Sequence, residues 1–167
     1  MYKILKKIIT IGLMTEEKPT VNDDELIKSK LHKSILQAFG RSLAIRHVDS
    51  GSCNGCELEM QALNNPFYNI EGLGIRFVAS PRHADLLLVT GPVSRHMVVA
   101  LQRTYEAMPH PKLVVAMGNC SCTGGIFGET YATCGAVSQI LPVDVEVPGC
   151  PPAPNTILHG ILTAIQQ

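Results

Sequence analysis

The sequence predicts an α/β domain built on a doubly wound parallel sheet, preceded by an N-terminal amphipathic helical extension. Two runs, "DLLLVTG" from Asp85 and "KLVVAMG" from Lys112, are continuously apolar, as strands buried on both faces of a parallel sheet are. Segments with helical spacing alternate with these and three further strand-like runs, the pattern of repeated strand–helix–strand units with right-handed crossovers. The alternation starts only past residue 40, so two parts are expected: an extension over 1–40 that carries a docking helix, and an α/β domain over 41–167.

Taken in order, the first stretch, "MYKILKKIITIGLM", sets Lys3, Lys6 and Lys7 among apolar residues. That suits a basic amphipathic segment lying on a membrane or a partner. A frayed tail is the plain alternative, and a signal peptide fits less well because no small-residue cleavage site precedes "TEEKPT". A polar linker follows, and Asn22 with Glu25 reads as a capping box opening a helix. The apolar positions of that helix, Ile27, Leu31, Ile35 and Phe39, recur every four residues before Gly40 ends it. Such a face packs on the core or on a neighbour.

"LAIRHV" from Leu43 is the first strand, followed by "IRFVAS" from Ile75 and then by the two apolar runs. In the last, Val143, Val145 and Val147 alternate with Asp144 and Glu146, which places a half-exposed strand near the sheet edge. Val93, Met97, Val98, Leu101, Tyr105 and Met108 form one helical stripe; Ile157, Leu158, Ile161, Leu162 and Ile165 form another.

With 167 residues, one domain is expected, and 14 basic against 14 acidic residues give no electrostatic reason to expect nucleic-acid binding. An apolar fraction of 46% with only 17% charged residues suggests that partners cover part of the surface, so the chain reads as a subunit. No apolar run reaches the roughly 18 residues a spanning helix needs. Six cysteines with no export signal point to a reducing compartment and to metal ligands or buried thiols.

Cys53 and Cys56 follow the first strand, Cys120 follows "LVVAMG", and Cys150 follows "VDVEVPG". Strand ends of one polarity share one edge of a parallel sheet, where such folds bind ligands, so the four converge there. A thioredoxin-like dithiol would use the first pair and leave "GNC" and "PGCPP" without a role. Structural zinc takes four cysteines, but usually as two close pairs on compact knuckles. A [4Fe–4S] cluster accepts ligands from separate loops and is the preferred reading. Gly51, Gly55, Gly118 and Gly149 let backbone N–H groups approach its sulfides, and the helix opened by Pro154 directs its positive end toward an anionic cluster.

"SGSCNGCELE", "SPRHADLLLVTGP", "MGNCSCTGG" and "VPGCPPAPNTILHGI", in that order, resemble the small, cluster-carrying subunit shared by membrane-bound [NiFe] hydrogenases and respiratory complex I. The resemblance runs from residue 44 to near the end and implies a flavodoxin-like fold. It also implies one [4Fe–4S] cluster nearest the large subunit's active site, held by Cys53, Cys56, Cys120 and Cys150. The complex I subunit has two adjacent cysteines in the first motif, whereas Asn54 and Gly55 separate them here, as in the hydrogenases. Soluble uptake hydrogenases carry a further C-terminal domain, and this chain stops at Gln167. The expectation is therefore a group 4, complex I-like [NiFe] hydrogenase, with a quinone oxidoreductase subunit as the alternative.

The resemblance implies three partner types: the [NiFe] large subunit, a polyferredoxin-like donor, and the antiporter-like and docking subunits of a membrane arm. It implies a peripheral place on the cytoplasmic face of the membrane. Arg82 and His83 are expected near the cluster, where Arg82 stabilises its negative charge or else pairs with Asp85 or another carboxylate. Glu59 is read as part of a proton route or as a surface group. Cys122 and Cys134 are expected to be buried apolar thiols, the family motif aligning on Cys120. His96, His110 and His159 are isolated and receive no role.

Overall fold

The computed structural model describes residues 22–166, with side chains from Leu26 onward. The basic N-terminal segment, the linker and the side chains of the Asn22–Glu25 pair lie outside the described residues. The elements run α1 (Asn22–Phe39), β1 (Leu43–Asp49), α2 (Gly55–Ala62), β2 (Ile75–Phe77), β3 (Leu86–Thr90), α3 (Val98–Ala107), β4 (Leu113–Met117), α4 (Asn119–Thr123), β5 (Val145–Val147) and α5 (Pro154–Ile165). All strand pairings are parallel, and the order across the sheet is β2-β1-β3-β4-β5, the flavodoxin-like order. The chain passes from β1 outward to β2 and then returns past β1 to β3, so a crevice opens at the C-terminal ends of β1 and β3.

The strands alternate between two cores. Leu43 and Ile45 of β1, Leu86 and Leu88 of β3, and Val115 and Met117 of β4 face α1, α2 and α5, where Leu31, Ile35, Met60, Ile157 and Ile161 meet them. Leu87, Val89, Val114 and Ala116 face the other way, against Leu101 of α3 and against Val137 and Leu141. Every residue of β3 is buried, which is why its sequence shows no alternation, while β5 at the edge exposes Glu146 between Val145 and Val147. The stripe of α1 is spent on this chain's own core: Leu31 and Ile35 are buried, with Ile27 and Phe39 packed beside them. Gly40, at φ +60, ends that helix with its N–H on the Leu36 carbonyl.

One helix begins later than its apolar stripe suggests. Val93 N–H donates to the Gly135 carbonyl and the Val93 carbonyl accepts the Cys134 N–H, so its backbone is held in a bridge and α3 opens only at Val98. At the opposite edge of the sheet, Asp85 accepts Arg41 at 2.6 and 3.1 Å and the Ala44 N–H at 3.0 Å. This buried carboxylate ties the entry of β1 to the entry of β3.

Candidate metal centre

Past the end of β1 the chain bends over the crevice. Asp49 Oδ1 accepts the N–H groups of Gly51 and Ser52 at 2.8 and 2.7 Å, and Ser50 Oγ donates to the Thr90 carbonyl at 2.7 Å. Gly91, at φ +77, lies so close that a Cβ there would collide with the Ser52 backbone nitrogen. The bend is thus clamped to the end of β3. Asn54 then takes a left-handed conformation at φ 72, one that asparagine tolerates, and turns the chain into α2. Cys53 is left exposed on the bend and Cys56 is buried in the first turn of α2.

The other two cysteines follow β4 and β5. Gly118 N–H donates to the Val147 carbonyl at 2.8 Å, and Asn119 N–H donates to the Gly149 carbonyl at 2.8 Å. In return Gly149 N–H donates to Asn119 Oδ1 at 2.8 Å, so the loop with Cys120 and the loop with Cys150 are bound together. Cys53, Cys120 and Cys150 line one cavity of ≈ 750 Å³, with Asn119, Thr123, Ile126 and Phe127 among its other walls. Cys56 lies beneath Gly118: a Cβ on Gly118 would stand 2.7 Å from its sulfur. Gly125 is spaced likewise, since its Cβ would stand 2.9 Å from Cys120 Sγ. The sulfurs of Cys56 and Cys120 are therefore flanked by glycines where a side chain would intrude.

The thiols also share an electrostatic environment. Burial, reinforced by the Glu57 carboxylate and by Cys53, Cys120 and Cys150, pushes the Cys56 thiol up to about 12. Burial and then Cys150 and Cys53 raise the Cys120 thiol. Four thiolates here would repel one another, a repulsion that a cationic metal core would offset. Among the described residues no three His, Cys, Asp or Glu side chains group tightly enough to hold a single metal ion. Three of the four thiols line the cavity and Cys56 lies behind Gly118, a spread over three loops that a cluster, with one thiolate at each of four corners, could use.

Cys122 is not part of this wall. It is buried, its thiol directed at the Ala116 and Val147 carbonyls at 3.5 and 3.7 Å, and burial pushes it up to about 11. Cys134 is half-buried against the same apolar cluster. Arg82 and His83 are exposed in a 3₁₀ turn over Pro81–His83, and neither lines the cavity. The pairing weighed for Arg82 with Asp85 is not formed, because Arg41 holds that carboxylate. Glu59 is half-buried and also stands apart from the cavity wall.

The carboxylate that sequence reasoning missed is Glu57, which is 8% exposed. Its Oε2 accepts the Ser52 hydroxyl at 2.8 Å, its Oε1 accepts the Thr90 hydroxyl, and His47 Nε2 stands 3.6 Å from Oε1. A signal existed: Cys56, Met60 and Leu63 recur at helical spacing on the buried side, and Glu57, three residues before Met60, lies on that side while Glu59 does not.

Residues 53–164 match the family model of the NADH ubiquinone oxidoreductase 20 kDa subunit. The chain belongs to this family. Within the 20 kDa subunit family it is 46% identical to a probable membrane-bound hydrogenase subunit of Pyrococcus furiosus, over 84% of this chain and 86% of that protein. It is 44% identical to formate hydrogenlyase subunit 7 of Escherichia coli, over 85% of this chain but 55% of that longer protein. Among solved structures, a chain of the membrane-bound sulfane sulfur reductase, an archaeal respiratory membrane complex, superposes with a TM-score of 0.66 at 32% identity. That superposition covers 86% of this chain and 75% of the other.

Proposed function

We propose that the chain is the electron-transfer subunit of a membrane-bound [NiFe] hydrogenase complex. It carries one [4Fe–4S] cluster on Cys53, Cys56, Cys120 and Cys150, proximal to the nickel-iron site of a large subunit. The observation that supports this most is the meeting of thiols from three separate strand ends at one glycine-flanked cavity. When bound, the cluster supplies one-electron transfer. The residues of the chain hold its position, limit water around Cys56 and set the charge near it.

The rim of the cavity supports a partner on this side. Ile126 is 93% exposed and Phe127 55%, an apolar surface that a docked large subunit would cover. A polyferredoxin-like donor and a membrane arm complete the proposed assembly, placed peripherally on the cytoplasmic face. No helix of the described residues is long and apolar enough to cross a membrane.

The family's own name favours a second reading, the cluster-carrying subunit of a complex I-like quinone oxidoreductase. The spacing of Cys53 and Cys56 supports the hydrogenase instead. Iron and sulfide analysis of the full chain, separated anaerobically from the native complex, tests the cluster, with about four of each expected. Assays of the same complex for hydrogen evolution and for quinone reduction decide the activity. Quinone reduction without hydrogen evolution would discard the hydrogenase reading.

A further inference from the structure

Glu57 is a buried acid whose two oxygens are both committed. Ser52, one of its partners, precedes Cys53 and also accepts the Asn54 N–H at 3.3 Å through its hydroxyl. Thr90, the other, is the last residue of β3 and is itself fully buried. His47 of β1 lies against the same pair, its Nε2 2.9 Å from Thr90 Oγ1. One carboxylate thus joins the cysteine-bearing bend, the first turn of α2 and the ends of two strands. An apolar side chain would fill this position at no desolvation cost, whereas a carboxylate needs its bonds to offset several kcal/mol. The neighbouring exposed position is taken by Leu58, 57% exposed, so the acid is inside and the apolar residue outside.

We propose that Glu57 is a positioning residue for the cluster, holding the Cys53–Cys56 bend to the end of β3 and lowering the reduction potential through its charge. This rests on the cluster reading above. Beyond the clamp at Ser50 and Gly91 the bend is partly exposed, and Cys53 has no burial of its own to fix it. The charge acts because Glu57 directly follows Cys56 and both are buried. A reduced cluster carries one more negative charge than an oxidised one, and a fixed carboxylate in a low-dielectric wall disfavours it. A low potential is what electron delivery to protons requires.

Two variants of the full chain, each purified anaerobically away from the native complex, distinguish the parts of this proposal. Glu57→Gln keeps both hydroxyl contacts, since a carboxamide and a hydroxyl can each donate or accept. It is expected to retain full iron and to show a higher midpoint potential in an EPR-monitored redox titration. Glu57→Leu removes the ties and is expected to lower iron per chain. Should that variant not fold, Thr90→Val, which deletes one tie and keeps the carboxylate, carries the same expectation. An unchanged potential in Glu57→Gln overturns the charge effect, and full iron in the tie-breaking variant overturns the positioning role. Absence of iron and sulfide from the unmodified chain would instead defeat the cluster reading.

Discussion

Gly118 and Cys56 are placed so that the missing side chain of one makes room for the sulfur of the other: a Cβ on Gly118 would lie 2.7 Å from Cys56 Sγ. Gly118 also sits at φ +91, a conformation that L side chains rarely adopt. Gly118→Ala is therefore expected to cost about 1–3 kcal/mol of stability and to displace the sulfur. Thermal unfolding of the variant should report the first effect. Iron content, falling further than the change in folded fraction explains, should report the second.

Single alanine variants at Cys53, Cys56, Cys120 and Cys150 are each expected to abolish the cluster's EPR signal. Cys122→Ala is expected to keep it, at a cost of about 1 kcal/mol for the thiol removed from the core. A lost signal in Cys122→Ala beside a retained one in Cys120→Ala would reverse the assignment of the fourth ligand.

Asp85 and Arg41 form an asymmetric pair, the carboxylate side chain 6% exposed and the guanidinium 53%. Arg41→Ala takes both guanidinium bonds from the buried carboxylate and leaves it the Ala44 N–H, so it is expected to cost about 1–2 kcal/mol. Asp85→Ala also strips the Ala44 N–H of its acceptor and is expected to cost about 2–3 kcal/mol. Urea unfolding of the two variants checks the ratio; equal costs would mean that the backbone contact adds nothing.

His47 supplies a pH dependence. Burial lowers its pKa below the usual histidine value, opposed by Glu57 and Asp49 and aided by Arg46. Well above the ordinary histidine value of about 6.5 the ring is neutral both folded and unfolded and contributes no slope. As the pH falls below that, the unfolded chain takes up a proton that the folded one refuses, so stability drops until the lowered folded pKa is passed. Unfolding midpoints measured from pH 7.5 downward should show this loss, and His47→Gln should remove part of it.

The apolar rim makes a prediction about assembly. Ile126→Asp with Phe127→Asp is expected to leave the melting temperature of the chain within a few degrees, because both residues are largely exposed. The same pair of changes is expected to prevent the large subunit from co-eluting in the native complex on size exclusion.

Much of this was legible beforehand because parallel strands advertise themselves. The β3 and β4 runs are apolar on both faces, and Cys53, Cys56, Cys120 and Cys150 each follow a strand by a few residues, which suffices to bring them to one edge. What stayed hidden depends on contacts between distant segments. Arg41 and Asp85 are adjacent only because β1 pairs with β3. Val93 leaves its helix because Gly135 captures its N–H, a partner with no mark in the local pattern. Glu57 was passed over for Glu59 because acidic residues are assigned to solvent by default, although the spacing from Met60 already placed Glu57 inside.

The strand order has a temporal meaning as well as a spatial one. Cys53 and Cys150 belong to opposite ends of the domain sequence, and the sheet alone brings them together, through β1, β3, β4 and finally β5. The complete set of four thiols does not exist until β5 has docked beside β4. A zinc finger gathers its ligands within one short segment, whereas the proposed cluster would draw on loops that only the assembled sheet brings together. A cluster bound by all four thiols would therefore test the assembly of the whole sheet, from β1 to β5, and not of any one loop.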